Sequence, residues 1–377
     1  MRIGVDVRVF DEGRQSGVEQ YAESILREIF AIDSVNEYVL FSNSFRSDGQ
    51  ERIEQLAHGH ANVSLKTLRL PNKVLNSSFV LTGHPRLDTL VGKVDRFFSP
   101  NIKFGQVSAK TPHIITFHDL SFELYPEFYS FKKRWWHRVV NPKKIAKEAK
   151  AVIAVSEATA RDLQERYRIE NEKIVVIHSG APALAKPRDA FLEERGIGKN
   201  FILFFATLEP RKNMNAVLQA YEMIRARSQE NLQLVFAGAT GWLESEIKKT
   251  WKGSAFSKDI IFTGPVSEEE KAALYARTKA LLYVSLYEGF GFPPLEAMQL
   301  GTPVITSNSS SLPEVVENAA LMVDPSNAED IAEAILRITT DNELRNILSE
   351  RGKKQAAKFS WKDAAQKTLE VLTRNYE

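Results

Sequence analysis

At 377 residues, 43% hydrophobic and 26% charged, the chain has the composition of a soluble globular protein and is too long for one ordinary core, so two domains of similar size are expected. It has no cysteine, which excludes disulfides, Cys-ligated zinc, iron–sulfur clusters and thiol catalysis. The net charge of +2 is uneven: residues 1–189 hold 28 Lys+Arg against 23 Asp+Glu and the remainder 22 against 25, so the first half is the one expected to meet an anionic partner.

The chain begins Met1-Arg-Ile-Gly-Val-Asp6, with no apolar run of signal-peptide length behind it. No stretch of 18 apolar residues follows anywhere, so nothing is expected to span a membrane and the expected location is cytoplasmic. Short apolar runs predict strands at Ile3–Val9, Tyr38–Ser42, Val63–Leu68, Arg96–Ser99, His113–Phe117, Val152–Ser156 and Ile174–His178. Helical patterns lie between them at Gly17–Ala31, Phe131–Ala149 and Glu157–Arg166. Runs apolar on both faces, such as Ala151-Val-Ile-Ala-Val155, suit a parallel sheet covered on both sides. Gly180-Ala-Pro-Ala-Leu-Ala-Lys-Pro187 breaks the alternation and reads as an interdomain linker. Strands then resume at Phe201–Ala206, Leu232–Ala237, Ile260–Thr263, Leu281–Ser285, Pro303–Ser307 and Ala320–Val323. Helices are expected at Asn213–Arg227, Trp242–Trp251, Ser267–Ala276 and Pro293–Leu300, and over most of 327–377. The fold class is therefore α/β, two doubly wound Rossmann-like domains whose strand carboxyl ends can line a shared cleft.

The most informative segment is Tyr287-Glu-Gly-Phe-Gly-Phe-Pro-Pro-Leu-Glu-Ala-Met298, which places Glu288 and Glu296 around a Gly-rich turn opening a helix. The unpaired N–H groups of a helix start favour an anion, and Gly289 and Gly291 let the backbone approach it. Carboxylates repel phosphate but accept hydrogen bonds from hydroxyls, so a ligand with both a diphosphate and diols, such as a nucleotide sugar, suits the segment. Thr207-Leu-Glu-Pro-Arg-Lys-Asn213 also leads from a strand end into a helix. Arg211 and Lys212 there could neutralise the charge of a departing diphosphate.

Glu209-Pro-Arg-Lys-Asn213, Glu288-Gly-Phe-Gly-Phe-Pro-Pro-Leu-Glu296 and Gly301-Thr-Pro-Val304 together resemble the retaining nucleotide-sugar glycosyltransferases of the GT-B fold, in the large family called GT4. The resemblance covers nearly the whole chain. It implies an N-terminal acceptor-binding domain at 1–182, a C-terminal donor-binding domain at 183–358 and a helix at 359–377 that packs back on the first domain, with Trp361 as its anchor. It further implies that Glu288 contacts the donor hexose and Glu296 the ribose. Arg211 and Lys212 would hold the diphosphate, helped by the backbone of Gly289, Phe290, Gly291 and Phe292. Phe262-Thr-Gly-Pro-Val266 would lie beside the base through Pro265 and Val266. His118, at the end of the strand His113–Phe117, would be catalytic, orienting a sugar hydroxyl or the reacting face. Asp119, an acceptor-side neighbour, could orient His118 or cap the next turn. Gln15-Ser-Gly-Val-Glu-Gln-Tyr21 resembles the family's loop after the first strand, which approaches the reaction centre; the resemblance implies that Gly17, a single glycine where many relatives have two, is donor-binding.

No Asp-x-Asp and no His/Asp/Glu cluster of metal-ligand spacing occurs. By resemblance the chemistry is metal-independent front-side attack, with no enzymic nucleophile and no cofactor. The resemblance implies a hexosyltransferase, with GDP-mannose as the first donor choice and UDP-glucose or another UDP-hexose as the second. A glycan or lipid-linked glycan is the implied acceptor, in polysaccharide assembly. A sugar-nucleotide epimerase of the same fold and an inactive glycan-binding scaffold are the alternative readings. Finally, Phe131-Lys-Lys-Arg-Trp-Trp-His-Arg138 continues to Lys143, Lys144, Lys147 and Lys150, eight basic residues against Glu148. That composition fits an anionic bilayer or a polyanionic acceptor, and equally an ordinary helix with a solvated basic face and Trp in the core.

Overall fold

The computed structural model describes residues 1–12, 16–43, 47–227, 231–239, 251 and 253–376. Residues 242–250 of the helix expected at Trp242–Trp251, and Gln15 of the first loop, lie outside the described residues. The chain forms two units: Met1–Gly180 with Ser360–Glu377, and Ala181–Phe359.

The first unit holds β1 (Arg2–Asp6), β2 (Glu37–Asn43), β3 (Val63–Leu68), β4 (Arg96–Ser99), β5 (His113–Phe117), β6 (Ala151–Ala154) and β7 (Ile174–Val176). They form one sheet in the order β3-β2-β1-β4-β5-β6-β7, every pairing parallel. A parallel sheet buries both faces, which is why strands such as Ala151–Ala154 carry no polar alternation. Helix Gly17–Ile32 lays Tyr21, Ile25, Leu26 and Ile29 on this unit's core, and Ser16 caps it by accepting from the Glu19 N–H. The terminal helix Trp361–Thr373 packs on Gly17–Ile32, with Ser360 as its N-cap. Trp361 meets Tyr21 edge-on at 5.8 Å. Gly180 is required beside it, because a Cβ there would sit 2.3 Å from the Trp361 nitrogen.

The second unit holds β8 (Phe201–Phe205), β9 (Gln233–Ala237), β10 (Ile260–Gly264), β11 (Leu281–Tyr283), β12 (Val304–Ser307) and β13 (Leu321–Val323). Their order is β10-β9-β8-β11-β12-β13, again all parallel. Its core joins Phe204, Phe236, Val217, Tyr221, Ile305, Ile331 and Ile335 between the sheet and helices Met214–Arg227 and Ala328–Thr340. Both sheets are Rossmann-like. In each, the strand order reverses beside the first strand, between β1 and β4 and between β8 and β11. Ligands of such sheets bind at the strand carboxyl ends at that reversal.

Two helical expectations are corrected. The stretch Phe131–Ala149 is two helices, Phe131–Val140 and Pro142–Glu148, broken at Asn141, which adopts φ 55°. Proline at the first position of the second helix needs no N–H partner there. The helix over Glu157–Arg166 remains α-helical to Asp162 and widens to a π-turn over Leu163–Tyr167. Among the described residues, no helix is long and apolar enough to cross a membrane.

Candidate active site

At the reversal of the second sheet, the loop after β8 carries Arg211 and Lys212, and the loop after β11 carries Glu288. The three side chains meet. Arg211 donates from Nη1 to Glu288 Oε2 at 2.7 Å, and Lys212 Nζ donates to Glu288 Oε1 at 2.5 Å. Arg211 also holds the Tyr287 carbonyl at 3.2 Å, while Lys212 donates to the Tyr283 hydroxyl at 2.9 Å. Glu209 lies 3.8 Å from Arg211. Asn213, at φ 63°, ties the β8 loop to β11 by donating to the Val284 carbonyl, and reaches the Pro325 carbonyl as well. It acts as a strut between loops, directly before helix Met214–Arg227.

Glu288 and Lys212 are buried. Burial alone would raise the Glu288 pKa; the charges of Arg211 and then Lys212 outweigh it and hold the carboxyl down at about 2. Lys212 is itself lowered, first by burial and then by Arg211, with Glu288 pulling the other way. The result is a desolvated patch of two cations sharing one ionised carboxylate. A carboxylate has about four lone-pair positions; besides the two cations, the side chains of Ser285 and Tyr283 also hydrogen-bond to Glu288.

The turn after Glu288 is braced by serines. Glu288 N–H donates to Ser310 Oγ at 3.0 Å, and Ser311 Oγ donates to the carbonyls of Glu288 and Phe290. Gly291 caps helix Phe292–Gln299 at φ 110°, a conformation that favours glycine, and a Cβ there would press on Leu312 at 2.8 Å. Gly289, Phe290 and Gly291 are buried, and Phe292 is half-buried.

Glu296 falls in the second turn of that helix and is buried. It does not join the Arg211–Lys212–Glu288 cluster. Lys271 Nζ donates to its Oε1 at 3.0 Å and the Tyr275 hydroxyl to its Oε2 at 2.8 Å. Sequence reasoning missed Lys271, Tyr275 and Tyr283. The signal was present for the first: Lys271 shares the apolar face of its helix with Leu274 and Tyr275, and a cation there needs a buried anion. Tyr283 lies within reach of both clusters. Its pKa is raised well above the ordinary value, by burial first and then by Glu288, with a smaller contribution from Glu296. Pro265 is exposed and Val266 half-buried, just before the Ser267 cap of helix Glu268–Arg277.

The other sequence-derived residues belong to the first unit. His118 Nε2 bonds the Pro100 carbonyl at 2.9 Å, and its ring packs edge-on to Tyr21 at 4.7 Å. Burial lowers its pKa, against the Pro100 bond and Asp119. With Nε2 taken up by a carbonyl, Nδ1 is the ring atom left to face a hydroxyl. Asp119 accepts from both the N–H and hydroxyl of Ser121, at 2.8 and 2.5 Å, so it caps the following turn. Gly17 opens helix Gly17–Ile32. At the carboxyl end of β1, Arg8 grips Asp6 through two bonds of 2.8 and 2.6 Å and donates to the Phe104 carbonyl. That buried pair was not read from the sequence. Among the described residues no group of three or more His, Asp or Glu comes together in a metal-ligating arrangement.

Two Rossmann-like units, one with two cations on a carboxylate at its strand reversal, match the glycosyltransferase architecture that the sequence resemblance implies. Comparison with known proteins agrees. The family described as glycosyl transferases group 1 matches residues 187–355, and glycosyltransferase family 4 matches residues 15–183. The O-antigen chain mannosyltransferase B of Escherichia coli is 31% identical over 262 residues, 68% of each chain. The O-antigen chain mannosyltransferase RfbU of Salmonella typhimurium is 28% identical over 86% of this chain and 87% of its own. Among solved structures, Anabaena HepE in complex with UDP-glucose superposes with a TM-score of 0.75 over 99% of each chain at 20% identity, which shows the shared GT-B fold. The chain belongs to the group 1, family 4 glycosyltransferases.

Proposed function

We propose that the chain is a retaining, metal-independent hexosyltransferase. It moves mannose or glucose from a nucleoside-diphosphate sugar to a glycan or lipid-linked glycan in polysaccharide assembly. The observation that carries this reading is the buried cluster of Arg211, Lys212 and Glu288 at the strand reversal of the second sheet. A diphosphate leaving group develops charge as the glycosidic bond breaks, and preorganised cations in a dry site stabilise it most strongly. Arg211 and Lys212 take that role, with the backbone of Gly289–Phe292 beside them. Glu288 accepts from the donor hexose, and Glu296 accepts from the ribose. The departing phosphate takes the acceptor's proton, so no enzymic nucleophile is required. His118 orients a sugar hydroxyl. The mannosyltransferase relatives favour GDP-mannose, and the UDP-glucose held by HepE keeps a UDP-hexose second. Incubation with a panel of GDP- and UDP-hexoses tests the reading. Transfer predicts that one donor releases its nucleoside diphosphate without epimer formation. An epimer would favour the epimerase alternative, and binding without release the scaffold.

We further propose that the protein works at the cytoplasmic face of the membrane, resting on helix Phe131–Val140. Phe131 and Trp135 lie one turn apart on the same helix face and are 82% and 58% exposed. Trp136 turns inward, edge-on to Phe104 at 5.5 Å, and Val140 is buried. Exposed Lys132, Lys133, Arg134 and Arg138 flank the aromatics, and exposed Lys143, Lys144 and Lys147 follow on the next helix. Aromatics set among cations are the composition that binds an anionic interface. Removing Lys132, Lys133 and Arg134 together is expected to weaken co-sedimentation with anionic liposomes roughly a hundredfold at low salt. Unchanged co-sedimentation would sink the idea.

A further inference from the structure

The buried Lys271–Glu296–Tyr275 triad has a second use for its geometry. Lys271 and Tyr275 stand four residues apart on helix Glu268–Arg277, so both face the same way. Each grips a different oxygen of the one Glu296 carboxylate, at 3.0 and 2.8 Å. A glutamate side chain has three torsions, and a single contact would leave its carboxylate free to turn; two contacts on separate oxygens do not. Lys271 also pairs with Glu268 at 2.7 Å, which anchors the ammonium from its outer side. Tyr275 is held in turn by its ring against Phe205 at 5.4 Å and by its carbonyl, which accepts from the Thr302 hydroxyl at 2.6 Å. The gripping helix starts directly after Pro265 and Val266, so the turn assigned to the base and the carboxylate assigned to the ribose are tied to one element.

We propose that Lys271 and Tyr275 are positioning residues for the donor: they lock the Glu296 carboxylate in one orientation, leaving one acceptor position on each oxygen for the two ribose hydroxyls of a nucleoside diphosphate. The proposal rests on the reading of Glu296 as the ribose acceptor, and the test separates the two. A clamp that only joined two helices would affect stability alone. A positioning clamp sets how well the site tells ribose from 2′-deoxyribose, because a buried acceptor left without its hydroxyl carries a desolvation cost.

The experiment is calorimetric titration of UDP, GDP and their 2′-deoxy counterparts into the wild-type protein and into Lys271→Met, Lys271→Arg, Tyr275→Phe and Glu296→Gln. For whichever base the wild type binds, it should favour the ribose form by about tenfold or more. Glu296→Gln and Lys271→Met should bring that ratio close to one, Tyr275→Phe should lower it partway, and Lys271→Arg should restore it. If Lys271→Met does not fold, Tyr275→Phe, which keeps the ion pair, carries the test alone. A full ribose preference in Lys271→Met and Tyr275→Phe, alongside its loss in Glu296→Gln, would show that the clamp is structural only and overturn the proposal. A full preference in Glu296→Gln would overturn the ribose reading and the proposal with it.

Discussion

Arg211→Ala and Lys212→Ala are each expected to lower hexosyl transfer by about 10²–10³-fold, the usual effect of removing one preorganised donor from a developing anion. The two substitutions should differ in what else they do. The Arg211 side chain is 18% exposed against 9% for Lys212, so its loss should cost less stability than the loss of Lys212. Lys212 is buried against Glu288 and the Tyr283 hydroxyl, so its loss removes a charge-assisted bond and leaves that hydroxyl without its cation. Stability should fall measurably while the fold persists. Because both cations act on charge that grows as the bond breaks, the losses should appear in kcat more than in KM. Arg211→Lys should rescue poorly, since lysine is shorter and offers a point charge in place of the planar guanidinium fork that suits a diphosphate. Steady-state release of nucleoside diphosphate, with circular dichroism as the folding control, measures all of this. Near-normal turnover in both alanine variants would remove the assigned role.

The second large effect is on stability. Glu288→Ala leaves Arg211 and Lys212 facing each other with their shared anion gone, and breaking a buried pair in this way costs about 3–5 kcal/mol. Glu288→Gln keeps the shape and should cost less. The pH dependence has a definite sign. The folded pKa of Glu288 is held down at about 2, below its ordinary value of 4.5. Its contribution is therefore complete above the ordinary value and is lost as pH falls from about 4.5 towards about 2. Thermal midpoints measured across that window should drop more steeply for the wild type than for Glu288→Gln. Superimposable slopes would show that the ion pairs carry no net stability.

Much of this architecture was readable in the residues, for a physical reason. Among the described residues, all thirteen strands lie where apolar runs placed them, within three residues at each end. Strands of a covered parallel sheet have no polar alternation to confuse them with a surface helix. Arg211, Lys212 and Glu288 come together because two loops at one strand reversal must be neighbours, which follows from topology once the βα alternation is recognised. What the sequence did not show is who holds whom. Glu296 looked free to meet a ribose; its two oxygens are already gripped by Lys271 and Tyr275, 25 and 21 positions upstream and brought to it only by the fold. His118 was placed near a sugar hydroxyl, yet a bond to a backbone carbonyl 18 residues away decides which of its nitrogens remains. Helices Ser47–Ala57 and Asn72–Thr82 were missed for another reason. Each buries only two large side chains, Ile53 with Leu56 and Leu75 with Phe79, a single turn apart and too few to set a helical period along the segment.

Hexosyl transfer with retention is the central claim, and the anomeric configuration of the product tests it most directly. The donor that releases its nucleoside diphosphate should be supplied with acceptor, and the new glycosidic linkage read by NMR from its one-bond C1–H1 coupling, which separates the two anomers for mannose as well as for glucose. The account predicts a linkage of the same anomeric configuration as the donor sugar. An inverted linkage, or release of free sugar with no linkage formed, would contradict it.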